Sequence, residues 1–148
     1  MKRGVDYIGV GVGAAIIRDG KVLLIKRGEK AKNERGKWEI PGGGVEFGEK
    51  MEEALNREMM EELGVKIKTV ELLGVFDHII SEDKQHWVSP TFICRLIEGE
   101  PQNLEKEKAS DIGWFSLDAA ENLPLSIITT NDIKILKTKY PQGLPQNI

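Results

Sequence analysis

Residues Gly43–Val65 read GGVEFGEKMEEALNREMMEELGV and follow directly on Pro41 and Gly42. Within this run Glu58, Glu61 and Glu62 stand at i, i+3 and i+4. On a helix of 3.6 residues per turn these positions share one face, because each residue advances about 100°. Like charges so placed repel, by about 0.2–0.5 kcal/mol per pair in an isolated helix. A hard divalent cation, which takes oxygen ligands, neutralises such a cluster. A solvated acidic face has the same composition, since glutamate is a good helix former. Beside the acidic face, Leu55, Met59 and Leu63 form an apolar ridge at i, i+4 and i+8 that anchors a helix on a sheet. The helix is predicted from about Glu49 to Leu63, with Gly64 as its left-handed cap.

Upstream, Tyr7 to Ile17 mixes glycine with Val, Ala and Ile and reads as a buried strand. Asp19-Gly20 reads as a tight turn into a second strand, Val22 to Ile25. Gly28 to Lys37 is predicted as a loop, and Trp38-Glu39-Ile40 as a short strand stopped by Pro41 and its glycines. Downstream, Lys66 to Ile80 and His86 to Leu96 are predicted strands joined by Ser81 to Lys84, and Ile112 to Ser116 is another. A helical turn is expected over Leu117 to Asn122, and a last helix over Asn131 to Tyr140 with Thr130 or Asn131 near its N-cap. Residues 141–148 are expected to form a loose tail. Mixed strands and helices indicate an α/β or α+β class.

The chain has 148 residues, of which 40% are hydrophobic and 30% charged, a length that suits one domain over residues 1–148. No apolar run approaches the roughly 20 residues of a membrane span, so no membrane partner is expected. The start, Met1-Lys2-Arg3-Gly4-Val5-Asp6, lacks an apolar signal core, and the expected location is cytoplasmic. Cys94 is the single cysteine, which suits a reducing interior; its apolar setting, Phe92-Ile93-Cys94, assigns it to packing. A formal charge of −3 gives no general basic footprint, so stable nucleic-acid binding is not expected. An acidic protein can still take a polyphosphate where metal ions and a few cations reverse the local field.

The spacing around the acidic face is more specific than the face itself: Gly43, five residues, Glu49, seven residues, then Arg57-Glu58-Met59-Met60-Glu61-Glu62-Leu63-Gly64-Val65. Seven such Gly, Glu and Arg positions coincide by chance about once in 10^8 starts. The pattern resembles the Nudix box of the Nudix hydrolase superfamily. That resemblance implies an α/β/α sandwich with a mixed central sheet, a Mg2+ or Mn2+ cofactor, and a nucleoside diphosphate linked to a group X as substrate. It implies metal ligation by Glu58, Glu61 and Glu62, joined by the backbone carbonyl of Gly42. It gives Gly43, Glu49 and Arg57 the support of the loop and the carboxylates. Proton transfer falls to Glu61 or Glu62, or to a glutamate of a later loop, where Glu107 matches the spacing best. Arg27 matches a cation that contacts phosphate, as its planar donor array allows. Lys26 points the other way on a regular strand.

Further similarity lies in Gly9-Val10-Gly11-Val12-Gly13, Pro41 to Glu49, His86-Trp87-Val88 and Glu100-Pro101-Gln102-Asn103-Leu104-Glu105, which look like the MutT-related branch. This implies hydrolysis of a nucleoside triphosphate to the monophosphate and pyrophosphate. An ADP-ribose or nucleotide-sugar pyrophosphatase is the second reading, disfavoured by Ser81 where that branch often carries proline. Glu82 and Asp83 stand where the diadenosine polyphosphate branch often carries tyrosine. A ligand sensor without turnover is the reading of a different class, and the intact glutamates weigh against it. Strand alternation lets at most one of His86 and Trp87 face a cleft; core packing is expected for Trp87 and Trp38, and a structural or surface place for His86. The glycine-rich first strand fits a core element and a homodimer contact equally.

Overall fold

The computed structural model describes residues 1–148. β1 (Gly9–Arg18) and β2 (Lys21–Arg27) form a hairpin closed by Asp19 and Gly20, both at positive φ, 52° and 75°. β3 (Trp38–Glu39) pairs with β2, and β4 (Gly42–Gly44) with β1. Then follow α1 (Met51–Leu63), the long antiparallel pair β5 (Lys66–Ile80) and β6 (Gln85–Glu98), β7 (Ala109–Phe115), α2 (Leu117–Glu121) and α3 (Ile127–Lys139). The sheet order is β3-β2-β1-β6-β5, with β4 on β1 and β7 on β2. β1 and β6 run parallel through its centre while the other pairs are antiparallel, so the sheet is mixed.

Strand alternation sorts the core into two layers. Val12, Ala14, Ile16 and Leu23 face α1 and pack on Ala54, Leu55, Met59 and Leu63. Ala15, Ile17, Val22 and Leu24 face the other way and pack on Leu117, Ala120, Ile133 and Leu136 of α2 and α3. Each layer follows from the period of 2 along β1 and β2 meeting the period of 3.6 on the helices. Together they form the expected α/β/α sandwich.

α1 ends at Gly64, whose φ of 68° is the left-handed cap anticipated from sequence and whose N–H reaches the Met59 and Met60 carbonyls. At its other end the helix begins at Met51, and Lys50 N–H donates to the Glu53 carboxylate. Two expectations need correction. α3 begins at Ile127 rather than Asn131; its N-cap is Ser126, whose hydroxyl accepts from Thr129 N–H. Residues 141–148 are docked rather than loose: Leu144 is buried in the α3-side layer, and Asp19 and Gly20 N–H groups donate to the Gln146 and Pro145 carbonyls at 3.0 and 3.2 Å. No helix is long and apolar enough to cross a membrane.

Candidate active site

β4 is the seam of the site. On one side Gly42, Gly43 and Gly44 line a cleft of about 290 Å³. On the other, Gly43 backs onto Glu58 of α1. A β-carbon at Gly42 would lie 2.0 Å from the Val12 carbonyl oxygen, so this strand approaches β1 more closely than any other residue allows.

Arg57 organises the acidic face. Its Nε and Nη2 donate to the two carboxylate oxygens of Glu49 at 2.7 and 2.9 Å, Nη1 donates to Glu58 Oε1 at 2.9 Å, and Nη2 also reaches the Gly44 carbonyl at 2.9 Å. Glu49 closes the loop by accepting from Glu46 N–H at 3.0 Å. The Arg57 guanidinium holds the Glu49 carboxyl down at about 2. Glu49 and Arg57 thus tie the β4–α1 loop to the helix and fix the Glu58 carboxylate between Arg57 and Gly43.

Glu62 lies deeper. Burial, followed by the charge of Glu58 and a hydrogen bond shared with it, pushes its carboxyl up to about 9; Glu105 and Glu39 add to the push. Glu62 Oε2 and Glu105 Oε1 are both buried without a hydrogen-bond partner. A buried unsatisfied oxygen costs about 1–3 kcal/mol. Glu61 is exposed at the helix surface, 3.8 Å from Arg57. No set of three acidic, histidine or cysteine side chains closes around one point in this side-chain arrangement. The donor set nevertheless fits a hard divalent cation: clustered carboxylates, two orphaned oxygens, and a mutual repulsion that a cation would relieve.

The loop before β7 places its glutamates differently from the spacing argument. Glu107 is exposed, whereas Glu105 is half-buried, bears on Glu62, and has Lys108 Nζ 3.2 Å from its other oxygen. Leu104 N–H donates to the Glu62 carbonyl at 3.0 Å and Ala109 N–H to the Glu105 carbonyl, and these two backbone bonds turn Glu105 toward α1. Sequence spacing alone could not separate two glutamates two residues apart in one charge run.

Arg27 lines the cleft and is already engaged: Nη1 lies 3.1 Å from Glu39 Oε2, Nε donates to the Asn33 carbonyl, and Nη2 to Asn33 Oδ1. Along β6, Gln85, Trp87, Ser89 and Thr91 all face the cleft at the strand period of 2, opposite Gly11 and Gly13 of β1. Trp87 is therefore a cleft wall rather than the core residue expected; β-carbons on Gly4 and Gly9 would lie 2.4 and 2.6 Å from its indole, so those glycines lie against the ring. His86 points away, and Trp38 is core, edge-on to Phe115 at 5.0 Å. His78 and Asp132 also line the cleft, and neither stood out in the sequence. Asp132 left one signal: it sits beside Ile133 and i−4 from Leu136, a carboxylate in an apolar stripe.

A sequence model of the NUDIX domain matches residues 8–137. The chain belongs to the Nudix family. It is 35% identical over 115 residues to the uncharacterized Nudix hydrolase YvcI of Bacillus subtilis, covering 73% of this chain and 66% of that protein. It is 39% identical over 115 residues to the ADP-ribose pyrophosphatase of Methanocaldococcus jannaschii, covering 78% and 64%. The chain therefore spans just under two thirds of the length of these Nudix relatives. With the CTP pyrophosphohydrolase of Escherichia coli it shares 35% over 118 residues, 78% of this chain and 81% of that protein. Among solved structures, the MutT NUDIX hydrolase from Burkholderia pseudomallei superposes with a TM-score of 0.81 at 40% identity, covering 88% of this chain and 99% of that one.

Proposed function

We propose that this Nudix chain hydrolyses a phosphoanhydride of a nucleotide, with a nucleoside triphosphate as substrate and the monophosphate and pyrophosphate as products. The observation that carries this is the half-buried acidic cluster of Glu58, Glu62 and Glu105 at the glycine seam of the cleft, with two buried oxygens lacking partners. Glu58, Glu61 and Glu62, with the Gly42 carbonyl, would hold Mg2+ or Mn2+, while Gly43, Glu49 and Arg57 keep those ligands in place. A divalent cation bound there neutralises phosphate oxygens and makes a water more acidic. The chain itself supplies the rest. Glu105, by its burial beside Glu62, is better placed than Glu107 to take the proton of the attacking water, with Glu61 and Glu62 as the other acceptors. Oxygen of water bonds to phosphorus, the bridging P–O bond breaks, and its electron pair leaves with pyrophosphate. Arg27 faces the phosphates from the opposite wall while Glu39 and Asn33 fix its plane. Trp87, on the same face of the sheet as Gly11 and Gly13 of the neighbouring β1, offers its indole for the base to stack on.

The match to the Escherichia coli CTP pyrophosphohydrolase over most of that protein's length favours the triphosphate reading. The Methanocaldococcus relative keeps ADP-ribose as a second substrate class. Incubating the purified protein with Mg2+ against nucleoside triphosphates, ADP-ribose and nucleotide sugars decides between them. Pyrophosphate release from triphosphates is expected; two phosphate monoesters from ADP-ribose would favour the second reading, and no turnover of any nucleotide with either metal would overturn both.

A further inference from the structure

Three arginines, Arg3, Arg27 and Arg57, stand around the cleft and its glycine seam. Arg57 is bonded to Glu49, Glu58 and the Gly44 carbonyl, and Arg27 to Glu39 and Asn33. Arg3 is different. Its Nη1 donates to the Val45 carbonyl at 2.8 Å, while Nε and Nη2 have no acceptor within the protein, and no ion pair of the fold includes it. A guanidinium has only donors and keeps its charge at any ordinary pH, so a half-buried one with a free edge is ready for an anion.

The fold makes room for this side chain on the cleft face of β4. Gly43 backs onto Glu58 of α1, and alternation turns Gly44 to the opposite side. Gly44 pairs with Gly11 of β1, whose own open side faces Trp87 and Ser89 in the cleft. A β-carbon on Gly44 would lie 2.8 Å from Arg3 Cζ and Nη2 and 3.1 Å from Nε, so the free edge of the guanidinium lies along that glycine. The N-terminal turn holds it there: Gly4 is buried against the Trp87 indole, its N–H donates to the Tyr7 carbonyl at 2.6 Å, and His86 N–H donates to the Gly4 carbonyl at 2.8 Å. Two exposed lysines extend the charge, Lys2 beside Arg3 and Lys32 beside Asn33 of the cleft wall. Lys32 presses on Lys2 and, outweighing Asp6, pulls its pKa down, so like charges face each other where a bound anion would relieve them.

We propose that Arg3 binds the polyphosphate of the substrate, its Nε–Nη2 edge donating to two oxygens of one phosphate in the bidentate geometry that guanidinium favours. Arg3 lies before residue 8, where the match to the NUDIX domain begins, so this cation is supplied by the chain from outside the matched domain. The inference rests on the proposed nucleotide hydrolysis and adds to it a second arginine on the phosphates, across the cleft from Arg27.

The test is calorimetric titration of wild type and variants with inorganic pyrophosphate in excess Mg2+, beside titration with Mg2+ alone. Arg3→Gln keeps a side-chain N–H donor but no charge. It is expected to weaken pyrophosphate by about 10- to 100-fold, the loss of hydrogen bonds between charged groups, with Mg2+ affinity unchanged. Arg3→Lys, which keeps the charge without the fork, is expected to recover part of the loss. In turnover of a nucleoside triphosphate the loss is expected in KM, with kcat near wild type. Pyrophosphate binding that Arg3→Gln leaves unchanged overturns the role of Arg3, and so does wild type that binds no pyrophosphate. A fall in Mg2+ affinity that matches the fall for pyrophosphate also overturns it, because Arg3 would then only brace β4. The titrations need no turnover. If pyrophosphate binding depends on Arg3 in a protein that hydrolyses no nucleotide, the anion site stands and the proposed reaction alone falls.

Discussion

Gly43 and Glu58 meet so closely that a β-carbon on Gly43 would lie 2.2 Å from the Glu58 carboxyl carbon. The obstacle is the far end of a flexible side chain, which can swing aside. Gly43→Ala should therefore leave the fold nearly as stable as wild type while displacing a proposed metal ligand, lowering metal affinity or activity by about 10- to 100-fold, as lost ligand positioning commonly does. At Gly42 the obstacle is backbone, the Val12 carbonyl at 2.0 Å and Gly13 Cα at 2.9 Å. Gly42→Ala should destabilise by about 1–3 kcal/mol through overpacking. Urea unfolding and metal titration on both variants separate the effects; a Gly43→Ala protein that loses stability but keeps wild-type metal affinity would contradict the assignment.

The Arg57 fork gives a second prediction. Lysine preserves its charge but cannot bond both Glu49 oxygens, Glu58 and the Gly44 carbonyl at once. Arg57→Lys should lower kcat about 10- to 100-fold with KM for the nucleotide little changed, because the residue positions groups without touching substrate in this arrangement. A rise in KM alone would instead place Arg57 on the substrate.

How far these relationships were legible depended on what fixes each residue. α1, its glycine cap and its apolar ridge follow from local spacing, and spacing was enough. The Arg57–Glu49 contact was not given by spacing: the two residues are eight apart, and only the family resemblance implied that each supports the site. The start of α3 was not: Thr129, Thr130 and Asn131 are mediocre helix formers, and the turn they complete is held from outside by Ile40 N–H on Thr129. Trp87 was assigned to the core because alternation says which residues share a face and not whether that face is covered. Glycines at 4, 9, 11 and 13 leave the face open. The docked tail depends on backbone bonds to the Asp19-Gly20 turn, more than a hundred residues away, of which the sequence carries no mark.

Asp132 links the cleft to pH. Its carboxyl, pushed up to about 7 in the folded chain, titrates near the ordinary 3.8 once unfolded. Between those values the folded protein keeps a proton that the unfolded chain has released, so this group's contribution to stability is complete below about 3.8 and is lost as pH rises through about 7. Asp132→Asn carries no such titration. Subtracting its urea midpoints from those of wild type should give a difference that declines as pH rises across that window and levels off above it. A difference that rises with pH would mean the buried carboxyl is held as the anion.

The loop before β7 offers the sharpest contrast, because two glutamates in one charge run have opposite surroundings. Glu105 is half-buried with an orphaned oxygen and adds to the field on Glu62, while Glu107 is exposed. Glutamine matches glutamate in shape but cannot accept a proton. If Glu105 takes the proton of the attacking water, Glu105→Gln should lower kcat by about 10²- to 10⁴-fold, the usual contribution of a general base. Glu107→Gln should stay within about twofold of wild type, as surface changes distant from the chemistry do. Glutamine at position 105 also removes one carboxylate that raises the Glu62 pKa, so the variant's metal affinity must be measured alongside kcat. A fall in kcat that excess Mg2+ restores would assign Glu105 to holding the cation, and a fall that persists at saturating metal assigns it to the proton. Equal losses at both positions would mean that the loop rearranges on binding substrate.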